Sequence, residues 1–474
     1  MLGKDATNKV DMHSLKHKVA IIGLDSAPPE LVFDRWIDSL PNIKRLISSG
    51  IYGTLESTIP AITCPAWASM VTSTNPGKLG IYGFRNRSHY NYDSLEFVDS
   101  NTMNEETIWC LLSRHGKKCI VIGVPLTYPP KPFNNGYLVT CFLTPNKNCQ
   151  YTYPDNLKHE VERVTGGYIM DVSNFRSDEK DQILHTTFEM TKKRFKLARH
   201  FLRNEDWDFF MMVEMGTDRI QHAFWEFFDP RHPSYIAGNK YEHAIFDYYR
   251  YVDDEIGRIL MQLDDNTTVL LVSDHGAKMM EGGICINEWL INNGYLKLTH
   301  YPDKITQISK DLIDWEKTMV WGEGGYYGRL FFNIKGREPR GTIPPQQYEI
   351  VRNELKFALE GLRDKHGTKI NTKVFKPNEI YSECRNIPPD LLVYYGNLSW
   401  RSVGSVGHAT IWTDKNDTGP DSANHDQHGI FVMSNGNKHR SEKRSNLHIM
   451  DITPTVLDLM QIQIPWYMEG DVIR

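Results

Sequence analysis

The sequence predicts an α/β fold: a doubly wound, mostly parallel central sheet with helices on both faces and an inserted cap region. Three observations predict it. Several short apolar runs are near-continuous rather than alternating, as in strands covered on both faces. Stretches with helical periodicity lie between them. Acids and histidines sit at the ends of the runs, where open α/β sheets bind their ligands.

The elements follow in order. Val19–Leu24 (VAIIGL) reads as a buried strand and leads directly to Asp25. Cys119–Val124 (CIVIGV) has the same character but no ligand-type residue at its end. Phe209–Glu214 (FFMMVE) leads through a short Gly-containing turn to Asp218, and Thr268–Ser273 (TVLLVS) leads to Asp274 and His275. Gly429–Met433 (GIFVM) differs, because His425 precedes it. Helices are expected over Gln182–Arg203 and Tyr241–Asp264, the second with Ile245, Tyr248, Val252, Ile256, Ile259 and Leu263 on one stripe. Strands alternating with helices give the doubly wound sheet. Residues 301–400 are less regular and read as an insertion or cap, with a strand-like Arg329–Ile334, a helix-like Gln346–Leu362 and an apolar Asp390–Tyr394. The expected organisation is a disordered polar tail over residues 1–17 and one catalytic domain over 18–474.

Bulk properties exclude several classes. The 474 residues suffice for a well-buried core, and 40% apolar with 24% charged residues is ordinary for a globular protein. The net charge of -5 is spread along the chain, so there is no basic footprint for nucleic acid and no polybasic membrane anchor. No run reaches the roughly 18 apolar residues that a membrane helix needs. The first residues lack the apolar centre of a signal peptide. The seven cysteines are scattered without a C-x-x-C pair, which implies neither a disulfide framework nor a cysteine zinc site. A reduced, cytoplasmic setting is the expectation.

Two divalent ions need about six to eight carboxylate and imidazole ligands. The chain offers Asp25, Asp218, His222, Asp274, His275 and His425. Asp218 and His222, four apart in GTDRIQHAFW, share one face if that stretch is helical. Asp274 and His275 are neighbours in SDHGA, where Gly276 lets the backbone turn. Each piece alone has a blander reading. An Asp-x-x-x-His pair is more often a surface or capping arrangement, Asp25 is a candidate cap for a helix near Pro28, and a lone His425 is more often structural. The joint pattern favours metal ligands: acids follow three buried strands, with histidines at compatible spacings. This mixed set favours zinc, with manganese as the alternative.

The segment TIPAITCPAWASMVTSTNPGKLGIYGF supplies a nucleophile. Ala66–Val71 reads as a helix, and Pro65 suits its first turn, where a missing N–H costs nothing. Thr63 then sits at a helix N-terminus, where free N–H groups and the dipole favour a phosphoryl group. A metal ion would make its hydroxyl effective. Two alternatives stand beside this. Thr63 is an N-cap, or Cys64 is the reactive group. Cys64 ranks lower because no histidine base lies beside it in sequence.

These motifs, GLDSAPP, TCPAWASMVTSTNPGKLGIYGF, GTDRIQHAFW, SDHG and ANHDQHGIF, together resemble the alkaline-phosphatase superfamily. They are most similar to its type I phosphodiesterase / nucleotide pyrophosphatase branch, and within it to a phosphohydrolase or phosphomutase group. DITPTVLDLMQIQIP, INEWL and NIKGREPRG add to the likeness, which spans residues 18 to 474. The resemblance implies that one ion is held by Asp25, Thr63, Asp274 and His275, and the other by Asp218, His222 and His425. It implies that Thr63 attacks phosphorus to form a phosphothreonine, which water then hydrolyses. Trp67 stands where sulfatases carry Arg, which favours Thr63 over Cys64 and argues against a sulfatase.

The sequence also departs from the branch. Where nucleotide pyrophosphatases carry an Asn that orients the phosphoryl group, this chain has Ala66, and Leu79 replaces a His in the NPGKLG stretch. Lys278 and Trp67 are the candidate substrate contacts. Trp67, Phe84, Trp321 and Tyr326 are candidate base-stacking aromatics, although core packing is the commoner role. The expected activity is hydrolysis of phosphodiesters or nucleotide pyrophosphates, with a small phosphorylated substrate as partner and no nucleic-acid polymer or membrane. A phosphomonoesterase, phosphonohydrolase or phosphotransferase on the same core is the first alternative. A non-catalytic, metal-stabilised binding protein is the second.

Overall fold

A computed structural model describes residues 17–93, 95–435 and 441–474. The tail expected over 1–17 lies outside the described residues except for His17. The central sheet has nine strands. Their order is Glu442–His448, Gly50–Glu56, His428–Ser434, Thr267–Val272, Lys18–Leu24, Phe209–Glu214, Cys119–Ile122, Gly136–Val139 and Thr152–Tyr153. The expected apolar runs are all in it, the five side by side at its centre. Most neighbours pair in parallel. His428–Ser434 runs antiparallel to both its neighbours, and Thr152–Tyr153 to its one neighbour, so the sheet is mixed.

Both faces of the sheet are covered, as the apolar runs predict. Along Lys18–Leu24, Ala20, Ile22 and Leu24 enter one core, and Val19 and Ile21 the other. The first core packs beneath the long helices Lys180–Asn204, Gly216–Phe228 and Ala244–Leu260. The second packs beneath Thr63–Thr72, Ile108–Arg114 and Ile452–Leu459. Strands absent from the sequence reading lack the signal it used. Five of the seven residues of Glu442–His448 are exposed, so no apolar run marks it.

Residues 301–400 hold a separate four-stranded sheet of Val320–Glu323, Gly328–Phe332, Lys373–Phe375 and Leu391–Tyr394, with helix Tyr348–Glu360. Its apolar cluster extends back to Ile284 and Leu290. Among the described residues, no helix is long and apolar enough to cross a membrane. All seven cysteines are free.

Candidate active site

Three central strands end level with one another. Leu24 lies opposite Glu214 on one side, and Gly23 opposite Val272 on the other. The residues that follow therefore gather at one edge. Asp25 leaves the first strand, Asp218 lies in the first turn of helix Gly216–Phe228, and Asp274 and His275 leave the third. His425 reaches the same edge from the opposite direction. It lies on the short strand Ala423–Asp426, opposite Ala277, just before the antiparallel strand His428–Ser434. An antiparallel strand begins where parallel ones end, which explains why this ligand alone precedes its strand.

These residues form two clusters, Asp25 with Asp274 and His275, and Asp218 with His222 and His425. Within each, one ligand atom per residue lies within 4.8 Å of the others, and all six residues are buried. His222 Nε2 is 3.1 Å from Asp218 Oδ1, and His275 Nε2 is 3.1 Å from Asp274 Oδ2. Longer contacts of 3.8 and 3.9 Å join His425 Nε2 to Asp218 Oδ1 and His275 Nε2 to Asp25 Oδ1. Ligands bound at about 2.0–2.1 Å around a tetrahedral ion stand roughly 3.3 Å apart, which matches these spacings.

Two further observations fit a cation. Asp25 Oδ1, Asp218 Oδ1, His222 Nε2, Asp274 Oδ2 and His425 Nε2 are all buried without a hydrogen-bond partner. Such orphaned atoms are costly unless something else satisfies them. The histidines are also oriented from behind. His275 Nδ1 lies 3.0 Å from the Gly276 carbonyl, His425 Nδ1 3.0 Å from the Ala61 carbonyl, and His222 Nδ1 2.8 Å from Asp421. A carbonyl only accepts, so Nδ1 carries the proton in His275 and His425, and Nε2 turns a lone pair inward.

The electrostatics of the two clusters differ. Burial, then neighbouring carboxylates, push Asp25 and Asp274 well above the usual carboxylate range. Burial raises Asp218 as well, but His222, Arg219 and His425 more than reverse it and hold it below that range. Burial lowers His275 to about 4, and burial with the neighbouring histidines takes His425 well below its ordinary value. Burial also lowers His222, but Asp421, Tyr326 and Asp218 overcome this and raise it to about 10. Buried carboxylates driven toward protonation are ones a bound cation would stabilise.

Thr63 is the first residue of helix Thr63–Thr72, one turn earlier than the sequence pattern suggests. The cap position is Ile62, with no side-chain cap bond, so Thr63 is not the N-cap. Its Oγ1 lies 3.3 Å from His275 Nε2. Burial pushes the Cys64 thiol well above its ordinary value, which disfavours a thiolate there. Asp25 caps no helix. The nearest one begins at Glu30 and has no side-chain cap bond.

The two expected substrate contacts are both engaged within the protein. Trp67 is 0% exposed, and its indole N–H donates to Asp25 Oδ2 at 2.7 Å. Its ring packs in the second core, and its N–H holds the Asp25 carboxylate. Lys278 Nζ is held by Asp426 at 2.9 Å and by the Asn397 carbonyl at 3.2 Å. Ala66 is fully buried and offers no donor.

Asp421, Arg176 and Arg401 escaped the sequence reading, which named Tyr326 only as a candidate base-stacking aromatic. Asp421 binds His222 on one oxygen. Its other oxygen accepts from Arg176 Nε at 2.7 Å and Arg401 Nη1 at 2.8 Å. Tyr326, from the tip of the hairpin joining Val320–Glu323 to Gly328–Phe332, stacks on His425 at 3.8 Å between centroids. The Arg401 guanidinium lies 4.4 Å from the Tyr326 ring, and Arg176 donates to its hydroxyl. These partners lie far apart in sequence, and no local spacing marks them. Beyond Tyr326, a cavity of ≈380 Å³ opens beside Ile62, lined by Phe84, Phe142, Phe175 and several arginines. It adjoins a second hollow of ≈530 Å³ that includes Trp321. The two share Arg85, Ile308 and Glu323.

Residues 19–430 match the family model of type I phosphodiesterase / nucleotide pyrophosphatase. Among solved structures, human ectonucleotide pyrophosphatase / phosphodiesterase 5 is similar at 14% identity and a TM-score of 0.55, over 96% of this chain and 97% of that one. The murine counterpart, solved as an inactive variant in complex with AMP, is similar at 12% identity and a TM-score of 0.54, over 95% of this chain and 96% of that one. A search of curated proteins gives no match.

Proposed function

The chain belongs to the type I phosphodiesterase / nucleotide pyrophosphatase family of the alkaline-phosphatase superfamily, a hydrolase of phosphoric esters, and we propose that Thr63 is its nucleophile between two divalent ions. Asp25, Thr63, Asp274 and His275 would hold one ion, and Asp218, His222 and His425 the other. The mixed carboxylate and imidazole set favours zinc over manganese. The observation that carries this reading is the convergence of orphaned ligand atoms beside a threonine hydroxyl that caps no helix.

Ions bound there supply positive charge against the negative charge that builds on the attacking and leaving oxygens. The protein's own groups set the geometry. Thr63 Oγ1 presents a lone pair to phosphorus at a helix start, where the dipole favours the phosphoryl anion. The Thr63 hydroxyl releases its proton to solvent water as the P–Oγ bond forms. The P–O bond to the leaving group breaks, and its electron pair departs on that oxygen. Water then attacks the phosphothreonine, the P–Oγ bond breaks, and Thr63 regains a proton. Trp67, Asp421 and the Gly276 and Ala61 carbonyls hold the ligands in place.

The cavity supports a diester or pyrophosphate over a monoester, because it offers room for a second ester arm. By likeness to the AMP-bound murine neighbour, a nucleotide arm is the first candidate. The test is hydrolysis of bis(p-nitrophenyl) phosphate, p-nitrophenyl phosphate and a dinucleotide pyrophosphate by metal-loaded protein, with Thr63→Ala as control. Metal-dependent turnover lost in Thr63→Ala is the expected result. A fully active Thr63→Ala removes the nucleophile assignment.

A further inference from the structure

The cavity beside Thr63 carries more positive charge than the ester chemistry uses. Arg85, Arg176, Arg219, Arg329 and Arg401 all line it. Three are committed within the protein. Arg219 forks onto Asp171 at 2.8 Å through two nitrogens and also reaches Asp218. Arg176 and Arg401 share Asp421. Arg85 and Arg329 have no carboxylate within 4.0 Å among the described residues.

These two arrive from different elements. Arg85 begins the short strand Arg85–Arg87, and Arg329 lies on Gly328–Phe332. Arg329 Nη1 donates to the Arg85 carbonyl at 2.8 Å, which fixes one beside the other. Arg85 also stands where the cavity and the adjoining hollow meet. Glu323, opposite Arg329 in the strand register, lines the same wall. Burial raises its pKa while Arg329 and Arg85 lower it, so its carboxylate feels both guanidinium groups and the wall as a whole stays positive. Arg401 adds a buried Nε with no partner, on a side chain only 2% exposed.

An exposed arginine over an aromatic ring, as Arg85 lies 5.2 Å from the Phe97 centroid, is ordinarily just a solvated group. What sets this wall apart is that two guanidinium groups without a salt bridge line one cavity, which also reaches Ile62 at the start of helix Thr63–Thr72. We propose that Arg85 and Arg329 form a second anion subsite, which binds a phosphate or carboxylate on the second ester arm of the substrate. The guanidinium fork suits either anion. This rests on the hydrolase reading above and narrows it to substrates with an anionic group apart from the scissile phosphate.

The experiment uses matched p-nitrophenyl alkyl phosphodiesters whose alkyl arm ends in methyl, carboxylate or phosphate. With the metal-loaded full chain, kcat/KM for an anionic arm is expected to exceed that for the methyl arm by about tenfold or more. The carboxylate and phosphate arms show which anion is preferred. Arg85→Met and Arg329→Met should each lower the anionic-to-methyl ratio, and so should added salt. Arg329→Met also loses the bond to the Arg85 carbonyl, so Arg329→Lys, which keeps the charge but not the fork, and melting curves guard against a folding defect. The same three diesters are titrated calorimetrically into Thr63→Ala, which reads the subsite without turnover. Equal kcat/KM for all three arms and equal affinities in Thr63→Ala would overturn the subsite. Selective binding without hydrolysis by the wild type would keep the subsite and sink the hydrolase mechanism instead.

Discussion

The indole N–H of Trp67 donates to Asp25 Oδ2 at 2.7 Å, joining helix Thr63–Thr72 to the residue that leaves strand Lys18–Leu24. The bond leaves Asp25 Oδ1 free to face His275. Trp67→Phe keeps the buried ring and removes only the N–H. Metal affinity at the Asp25, Asp274 and His275 cluster should fall about 10–100-fold, the usual effect of losing a partner behind a ligand. A metal titration against a competing chelator measures it. Unchanged affinity would mean that packing alone holds Asp25.

Gly23 has no room for a side chain. A Cβ there would lie 2.4 Å from Trp67 Cη2 and 2.9 Å from Val213 Cγ2. Gly23→Ala should therefore destabilise the fold by about 1–3 kcal/mol through overpacking. It should also weaken metal binding in the same direction as Trp67→Phe, because the indole must move. Thermal melting and the same titration test both parts. A lower Tm with intact metal affinity would separate the packing role of Trp67 from its hydrogen bond.

Asp421 is fully buried and holds His222 Nδ1 at 2.8 Å. Asp421→Asn keeps the shape but removes the charge that Arg176 and Arg401 share. Ion affinity at the Asp218, His222 and His425 cluster should drop about 10–100-fold, while the other cluster keeps its own. Metal content after dialysis against limiting ion reads this as a loss from one site. Equal loss from both clusters would show a general folding defect instead.

Chelation should destabilise the whole protein. Without cations, the carboxylates and imidazoles of both clusters are buried against one another. An ion that binds only the folded state adds about 2.7 kcal/mol at a hundredfold excess over its Kd. Melting with and without EDTA, followed by zinc or manganese, is the measurement. The Tm should fall with chelator and recover with ion, whereas a Tm indifferent to both would remove the metal reading.

The sequence by itself determined the sheet's centre and the residues at its edge. Val19–Leu24, Phe209–Glu214 and Thr268–Ser273 are legible because strands buried on both faces must be apolar throughout. A residue placed directly after such a strand has little choice of position, so the gathering of Asp25, Asp274 and His275 at one edge was legible with it. Asp218 and His222 were legible through helical spacing. The tertiary structure alone decided the rest. That His428–Ser434 runs antiparallel, and so brings His425 to the same edge, depends on pairing between segments distant in the chain. That Trp67 backs Asp25 rather than touching substrate depends on which way its helix faces. Asp421, Tyr326 and the arginines of the cavity come together from several elements. Local pattern encodes what each segment buries, while the charges that face one another across a site are set only when those segments pack.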